Sequence, residues 1–212
     1  MKLFNHRKFY DKDSLSVDEI GDNPISFFIK WFNDAEKSDQ IIESNAMTVS
    51  TVDINNHPSS RVVLLKEIKD KSLIFFTNYN SKKGKEIENN PNICASFYWP
   101  PLERQVIIKG IVKKTSEHYS DIYFKSRPFQ SQVGAIVSNQ SQIISSYDEL
   151  KNRYDKFLKE NENSSLKRPK HWGGFELFIQ EIEFWQGRES RLHNRVICNL
   201  IDDKWSLKLL SP

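Results

Sequence analysis

Apolar residues recur at two different periods along this chain, and each switch between them marks an element. In PISFFIKWFNDA, which begins at Pro24, positions 27, 28, 31 and 32 are aromatic, the spacing of one helical face, so a helix is predicted there. From residue 46 the period becomes two: AMTVSTVD, a turn at Asn55-Asn56, SRVVLLKEI, a Lys-Asp-Lys turn and KSLIFFTNY read as an antiparallel meander. SKKGKEIENNP predicts a short helix stopped by Asn89-Asn90-Pro91, after which NICASFYWP and RQVIIKGIVKKT return to strand. SEHYSDIYFKSRP predicts a helix capped by Ser116, with Tyr119, Ile122 and Tyr123 on one face and Pro128 as its stop. SSYDELKNRYDKFLKENE opens with the capping-box pattern Ser146-x-x-Glu149 and carries Leu150, Tyr154, Phe157 and Leu158 at helical spacing. NSSLKRPKHWGG reads as a loop, GGFELFIQEIEFWQG as a strand, and RVICNLIDDKWSLKLLSP as a hairpin turning at Asp202-Asp203.

Five or six short antiparallel strands with helices set between them irregularly imply a mostly β, α+β fold: a closed or partly closed barrel with peripheral helices. The helix near 146–161 is polar on its outer side and is expected to pack on the outside of the barrel. Residues 1–20 are polar and charged and are expected to form a flexible arm, leaving 21–212 as a single domain.

Composition narrows the functional classes. With 31 Lys and Arg against 28 Asp and Glu the net charge is only +3, so no global field points to nucleic acid, and anion binding has to come from local clusters. The aliphatic runs, such as Val62-Val63-Leu64-Leu65, are far too short for a membrane span, and the start of the chain carries no apolar secretory segment, so a cytoplasmic protein is expected. Two cysteines in apolar runs read as reduced core residues, and with scattered histidines they cannot assemble a four-ligand zinc site, so no metal is expected. The sequence motifs of zincins, α/β-hydrolases, Rossmann dinucleotide sites and P-loops are absent.

Four local clusters combine cations with aromatic or hydroxyl side chains. In RVVLLK, strand alternation sends Arg61, Val63 and Leu65 to one face and Val62, Leu64 and Lys66 to the other; solvated strand ends would look the same. In TNYNSKK, Lys82 and Lys83 stand where a helix begins, a position that disfavours cations unless an external anion or solvent compensates. In YFKSRPFQS, Tyr123 and Arg127 are four residues apart and Ser131 follows the proline, so phenol, guanidinium and hydroxyl can converge on a phosphate, or simply end a helix. In EFWQGRESRLHNR, a strand ending at Trp185 runs into Arg188, Arg191, His193 and Arg195, which alone is a basic hairpin turn.

Taken together in this order, RVVLLK (61–66), FTNYNSKKGKEIENNP (76–91), LERQVIIKG (102–110), SRPFQSQVGAIVSNQS (126–141) and HWGGFELFIQEIEFWQGRESRLHNR (171–195) resemble the FMN-dependent pyridoxine/pyridoxamine 5′-phosphate oxidases over nearly the whole chain. The resemblance implies a split β-barrel homodimer with FMN at the subunit interface. It further implies oxidation of pyridoxamine and pyridoxine 5′-phosphate to pyridoxal 5′-phosphate, with O2 as acceptor and H2O2 as product. Family positions carried onto this sequence assign FMN contacts to Arg61, Val62, Val63, Leu64, Leu65, Lys66, Phe76, Thr77, Lys82, Lys83, Gln105, Gln140, Ser141, Trp185 and Arg195. They assign the substrate phosphate to Lys66, Tyr123, Arg127 and Ser131, and the substrate ring, with the catalytic role, to Arg191 and His193. Arg7 and Tyr10, with Lys8 and Phe9, resemble an arm segment that covers the substrate. The sequence departs from the family pattern at Asn194, where relatives carry an acid, at Lys82 for Arg, at Ile136 for Trp and at Phe76 for Tyr. A non-catalytic flavin or pyridoxal-phosphate carrier on the same barrel is the competing expectation; a nucleic-acid binder fits poorly with the charge balance.

Overall fold

The period-two segments pair as expected, and they close on themselves. In the computed structural model, which describes residues 1–5, 8–162 and 164–212, eight strands form one sheet: β1 (Ala46–Val52), β2 (Pro58–Lys69), β3 (Ser72–Asn78), β4 (Asn92–Trp99), β5 (Arg104–Lys114), β6 (Trp172–Gln186), β7 (Asn194–Ile201) and β8 (Lys204–Leu210). Their order is β3-β2-β1-β4-β5-β6-β7-β8, and β3 also pairs with β6 from Ser72↔Phe178 to Asn78↔Trp172. That extra ladder closes six strands into an antiparallel barrel, which removes the exposed edges an open sheet would leave. The closure depends on the length of β6: its first half pairs with β3, most of it with β5, and its last six residues with β7. The β7–β8 hairpin turns through Asp202 and Asp203, whose φ values of 47° and 62° are those of a turn with two left-handed central residues.

Alternation fixes the inside. Val49, Phe75, Phe97, Val106, Ile108, Leu177, Ile182 and Phe184 are fully buried in one core cluster. Helix α2 (Pro24–Glu36) is capped by Asn23, whose side chain accepts from the amides of Ile25 and Ser26. Its aromatic face sets Phe27 edge-on to Phe184 at 5.1 Å and Phe28 against Phe97 at 5.2 Å, covering the end of the barrel where β4 and β6 finish. Before it, α1 (Val17–Ile20) carries a full capping box between Ser16 and Glu19, and Leu15 and Ile20 enter the same core. The last six residues of the segment expected as an arm, from Leu15 onward, are therefore packed; the short polar run hides this because only two of its residues are core.

Four further helices lie around the barrel: α3 (Lys82–Asn89), α4 (Glu117–Ser126), α5 (Phe129–Val137) and α6 (Tyr147–Glu160). Ser116 caps α4 as expected, but the buried face of α4 is Ser120 and Phe124, while Ile122 is exposed. Helix α5 was not legible as a helix. Pro128 ends α4, and α5 restarts one residue later with Phe129, Val133, Ile136 and Val137 turned toward a second, smaller core around Phe124, Leu166 and Trp172. Helix α6, capped by Ser146, packs through Tyr154, Phe157 and Leu158 onto α5 and this second core, to which the barrel strands contribute Phe76 and Trp172. No helix among the described residues is long and apolar enough to cross a membrane.

Candidate active site

The second core leaves a cavity of about 900 Å³ between itself, β2, the end of β3 and the start of α3. This is the upper part of the range for ligand pockets. It gathers Arg61, Val62, Val63, Leu64, Lys66, Phe76, Thr77, Lys82, Lys83, Gln140 and Ser141, together with Tyr123, Arg127 and Ser131. Three of the four sequence clusters thus converge on one space, although up to 70 residues separate their members in the chain.

Lys83 is the most unusual member. Only 6% exposed, its ammonium donates to Thr77 Oγ1 at 2.9 Å and Ser81 Oγ at 3.3 Å, and no carboxylate pairs with it among the described residues. Burial, reinforced by the charge of Arg61 and partly offset by Glu86, brings its pKa down to about 8. The backbone enforces this placement: Ser81 caps α3 through the amide of Gly84, and a Cβ at Gly84 would lie 2.0 Å from the carbonyl oxygen of Tyr79, so only glycine lets the helix start this close to the loop. Arg61 is anchored from behind by Ser59 Oγ at 2.6 Å, Thr51 Oγ1 and the carboxylate of Glu86 at 3.3 Å.

The opposite wall is a stack of flat groups. Phe76 and Tyr123 lie 3.8 Å apart at 18°, Trp172 stacks on both, and the Arg127 guanidinium sits 4.5 Å over the Trp172 ring. Arg127 is not on the helix with Tyr123, as the four-residue spacing had implied: α4 ends at Ser126, and Arg127 is extended (φ −74°, ψ 148°), the conformation a following proline imposes. Its Nη1 is buried with no hydrogen-bond partner among the described residues. Burial lowers the Arg127 pKa and raises that of Tyr123. Two cations with no carboxylate partner among the described residues, the buried Lys83 and the half-buried Arg127, therefore face one cavity. Such groups persist when an anion is to complete them.

Leu65 is the buried member of the 61–66 run: its side chain belongs to the barrel core, against which Val63 also packs, and it does not line the cavity. Gln105, Trp185, Arg191, His193, Arg195 and Tyr10 do not line this cavity either. They form a second cluster at the other end of β6, thirteen residues beyond Trp172 and roughly 40 Å along the strand. Tyr98, Gln105, Trp185 and Arg195 occupy one row across β4, β5, β6 and β7. The Trp185 and His193 rings are 4.7 Å apart, and Tyr10 meets both edge-on. Tyr10 also lies against Gly187, where a Cβ would come within 2.6 Å of its ring. His193 Nδ1 accepts from the Arg188 amide at 3.0 Å, which places the proton of the neutral ring on Nε2. Burial and then the nearby Arg191 lower its pKa. Ser190 and Arg191 both have left-handed φ values, 54° and 63°. The departure at Asn194 leaves Arg195 paired: Glu183 accepts from its Nε at 2.9 Å and lies 2.8 Å from Nη2, while Asn194 Oδ1 accepts from the Leu15 amide. Sequence reading missed Glu86, Glu183 and Trp172, since a carboxylate behind an arginine carries no local signature. Arg7 lies outside the described residues. No cluster of His, Cys, Asp or Glu suited to a metal occurs among the described residues.

Residues 34–159 match the family model described as pyridoxamine 5′-phosphate oxidase, more than half of the chain. The chain belongs to that family. Residues 172–212 match the pyridoxine 5′-phosphate oxidase C-terminal dimerisation region, the stretch that holds Trp185, Arg191, His193 and Arg195. A pyridoxine/pyridoxamine 5′-phosphate oxidase of Flavobacterium psychrophilum is 48% identical over 211 residues, covering 99% of both chains, and one of Flavobacterium johnsoniae is 49% identical over 99% of this chain and 98% of that one. Among solved structures, PhzG from Burkholderia lata, in complex with tetrahydrophenazine-1-carboxylic acid, superposes with a TM-score of 0.87 at 26% identity, covering 94% of this chain and 98% of that one. A pyridoxamine 5′-phosphate oxidase-related, FMN-binding protein from Nostoc punctiforme has a TM-score of 0.72 at 13% identity, covering 89% and 97%, a likeness of fold. The expected split barrel of this oxidase family is the observed one.

Proposed function

We propose that this protein is an FMN-dependent oxidase that converts pyridoxamine 5′-phosphate and pyridoxine 5′-phosphate to pyridoxal 5′-phosphate, reducing O2 to H2O2, as a cytoplasmic homodimer with FMN between its subunits. The observation that carries this reading is the pair of cations in one cavity, Lys83 buried and Arg127 with a buried, unpartnered Nη1, neither paired with a carboxylate among the described residues, because cofactor and substrate each bring a phosphate. Lys83 with Arg61, Lys82, Thr77, Gln140 and Ser141 would hold the FMN phosphate end; Arg127 with Tyr123, Ser131 and Lys66 would hold that of the substrate. The family membership and the names of the relatives support the same assignment.

When bound, FMN would supply the two-electron acceptor for oxidation at the substrate's C4′ carbon. The work of the protein is binding and orientation. Tyr123, stacked on Phe76 beside Trp172, and Arg127, held over Trp172, present donors whose rotamers are set before any ligand arrives. His193, with its proton on Nε2, would donate a hydrogen bond to a polar substituent of the substrate ring, and Arg191 adds a cation beside it. Trp185 and Arg195 form a wall for the flavin. Because these groups lie on the dimerisation region and away from the cavity of their own chain, the complete site combines the cavity of one subunit with the second cluster of its partner. Tyr10 and the chain up to Leu15, tied to this cluster, shield it from water.

The test is direct. Protein reconstituted with FMN is expected to be yellow and to form pyridoxal phosphate from pyridoxamine phosphate only when oxygen is present. Flavin binding without turnover would indicate a carrier, and no flavin binding would remove the reading altogether.

A further inference from the structure

Glu86 stands outside the cavity, yet it touches two of the cations that define the cavity's wall, Arg61 and Lys82. It is 3% exposed, on the face of α3 turned toward β1 and β2. One carboxylate collects Ser59 Oγ at 2.7 and 2.8 Å, Thr51 Oγ1 and Arg61 Nη2 at 3.3 Å, and lies 3.8 Å from Lys82 Nζ one helical turn earlier. Burial acts to raise its pKa, but the donors Thr51 and Ser59 and the charge of Arg61 outweigh this and hold it below the usual carboxylate value, so it is an anion. Lys83, three residues before it, is the third cation, and Glu86 favours its charged form.

We infer that Glu86 is a positioning residue for the cofactor phosphate: it aligns Arg61 and offsets the mutual repulsion of Arg61, Lys82 and Lys83 in one small volume. This rests on the reading that the cavity takes FMN. Three cations and one carboxylate leave a net charge of +2, the complement of a phosphate monoester, which carries about −1.5 to −2 at neutral pH. Charge counting alone would predict tighter phosphate binding without the carboxylate. The geometry opposes that: Arg61 would lose the one carboxylate that pairs with it among the described residues, and Lys83, already depressed by burial and by Arg61, would be driven toward its neutral form. The field would gain nothing, while the fixed donors would loosen. The same side chain also ties α3 to the β1–β2 hairpin, so a purely structural role has to be distinguished.

The distinguishing measurement compares FMN with riboflavin, which has the ring and ribityl chain and no phosphate, by fluorescence titration of the full-length apoprotein. Glu86→Gln is expected to weaken FMN about tenfold or more, the scale of a hydrogen bond to a charged group, and riboflavin less than twofold. Glu86→Asp should recover part of the FMN loss. Ser59→Ala, a milder change to the same carboxylate, should lower the FMN-over-riboflavin preference in the same direction and serves if Glu86→Gln does not fold. An unchanged preference, equal losses for both ligands, or tighter FMN binding would overturn the inference. If wild-type protein binds no FMN, it is the functional reading that fails.

Discussion

Replacing Lys83 by methionine should make the ligand-free protein more stable and unable to hold its cofactor. The buried ammonium has a pKa of about 8 against 10.5 for an unperturbed lysine, a difference worth about 3 kcal/mol at about 1.4 kcal/mol per unit. Water in the adjoining cavity screens part of this cost, leaving about 1–2 kcal/mol to be recovered by an apolar side chain of similar length. The hydroxyls it leaves behind keep other partners: Ser81 donates to Asn78 O at 2.6 Å, and Thr77 donates to Gln140 Oε1 at 3.3 Å. For a chain of this size the melting temperature should rise by about 2–8 °C at pH 7. The pH dependence supplies the control. The folded pKa lies below the unfolded one, so between about pH 8 and 10.5 the unfolded chain binds the extra proton and wild-type stability rises with pH. The gap between variant and wild type should therefore close across that window. FMN at a hundredfold excess over its Kd should stabilise the wild type by about 2.7 kcal/mol and the variant hardly at all. A variant that melts below the wild type at pH 7, by an amount that does not change up to pH 10, would mean that Lys83 is a structural tie and not a cation awaiting an anion.

A site shared between subunits can be tested by mixing. Lys83→Met and Arg191→Ala each disable every site in their own homodimers, but a random equimolar mixture, co-folded, should regain about a quarter of wild-type turnover, since half the dimers carry one intact site of two; no recovery would place the whole site within one chain. Arg127→Lys should raise KM for pyridoxamine phosphate by about tenfold or more while leaving turnover of unphosphorylated pyridoxamine unchanged, because a point charge cannot replace the fork or its stacking on Trp172; equal effects on both substrates would contradict the phosphate assignment. By NMR titration His193 should lose its proton below the ordinary histidine value of 6.5 and shift upward in Arg191→Ala, since burial and then Arg191 depress it; a titration unmoved by the substitution would separate the two side chains.

The sequence by itself determined the strands, most of the helices and the four cationic clusters, because these rest on local rules: alternation, caps, turn residues and proline stops. Ser116, Asn89-Asn90-Pro91 and Asp202-Asp203 act where they are written. Short elements with weak periodicity escaped it. Helix α5 is hidden behind Pro128 and held in place by a core that forms only when α4, α6 and Trp172 meet. What only the tertiary structure decided was company. Closure of the barrel through β3 and β6 brings Trp172 under Arg127, and the extended backbone before Pro128, not a helical face, delivers that guanidinium to the cavity. Glu86 behind Arg61 and Glu183 beside Arg195 became visible as partners only across strands and helices. The same register that assembles one half of the site sets Trp185, Arg191, His193 and Arg195 at the far end of β6. A strand is stiff and extended, so residues thirteen apart on it cannot share one pocket of the same chain, whatever their chemistry suggests when read in sequence.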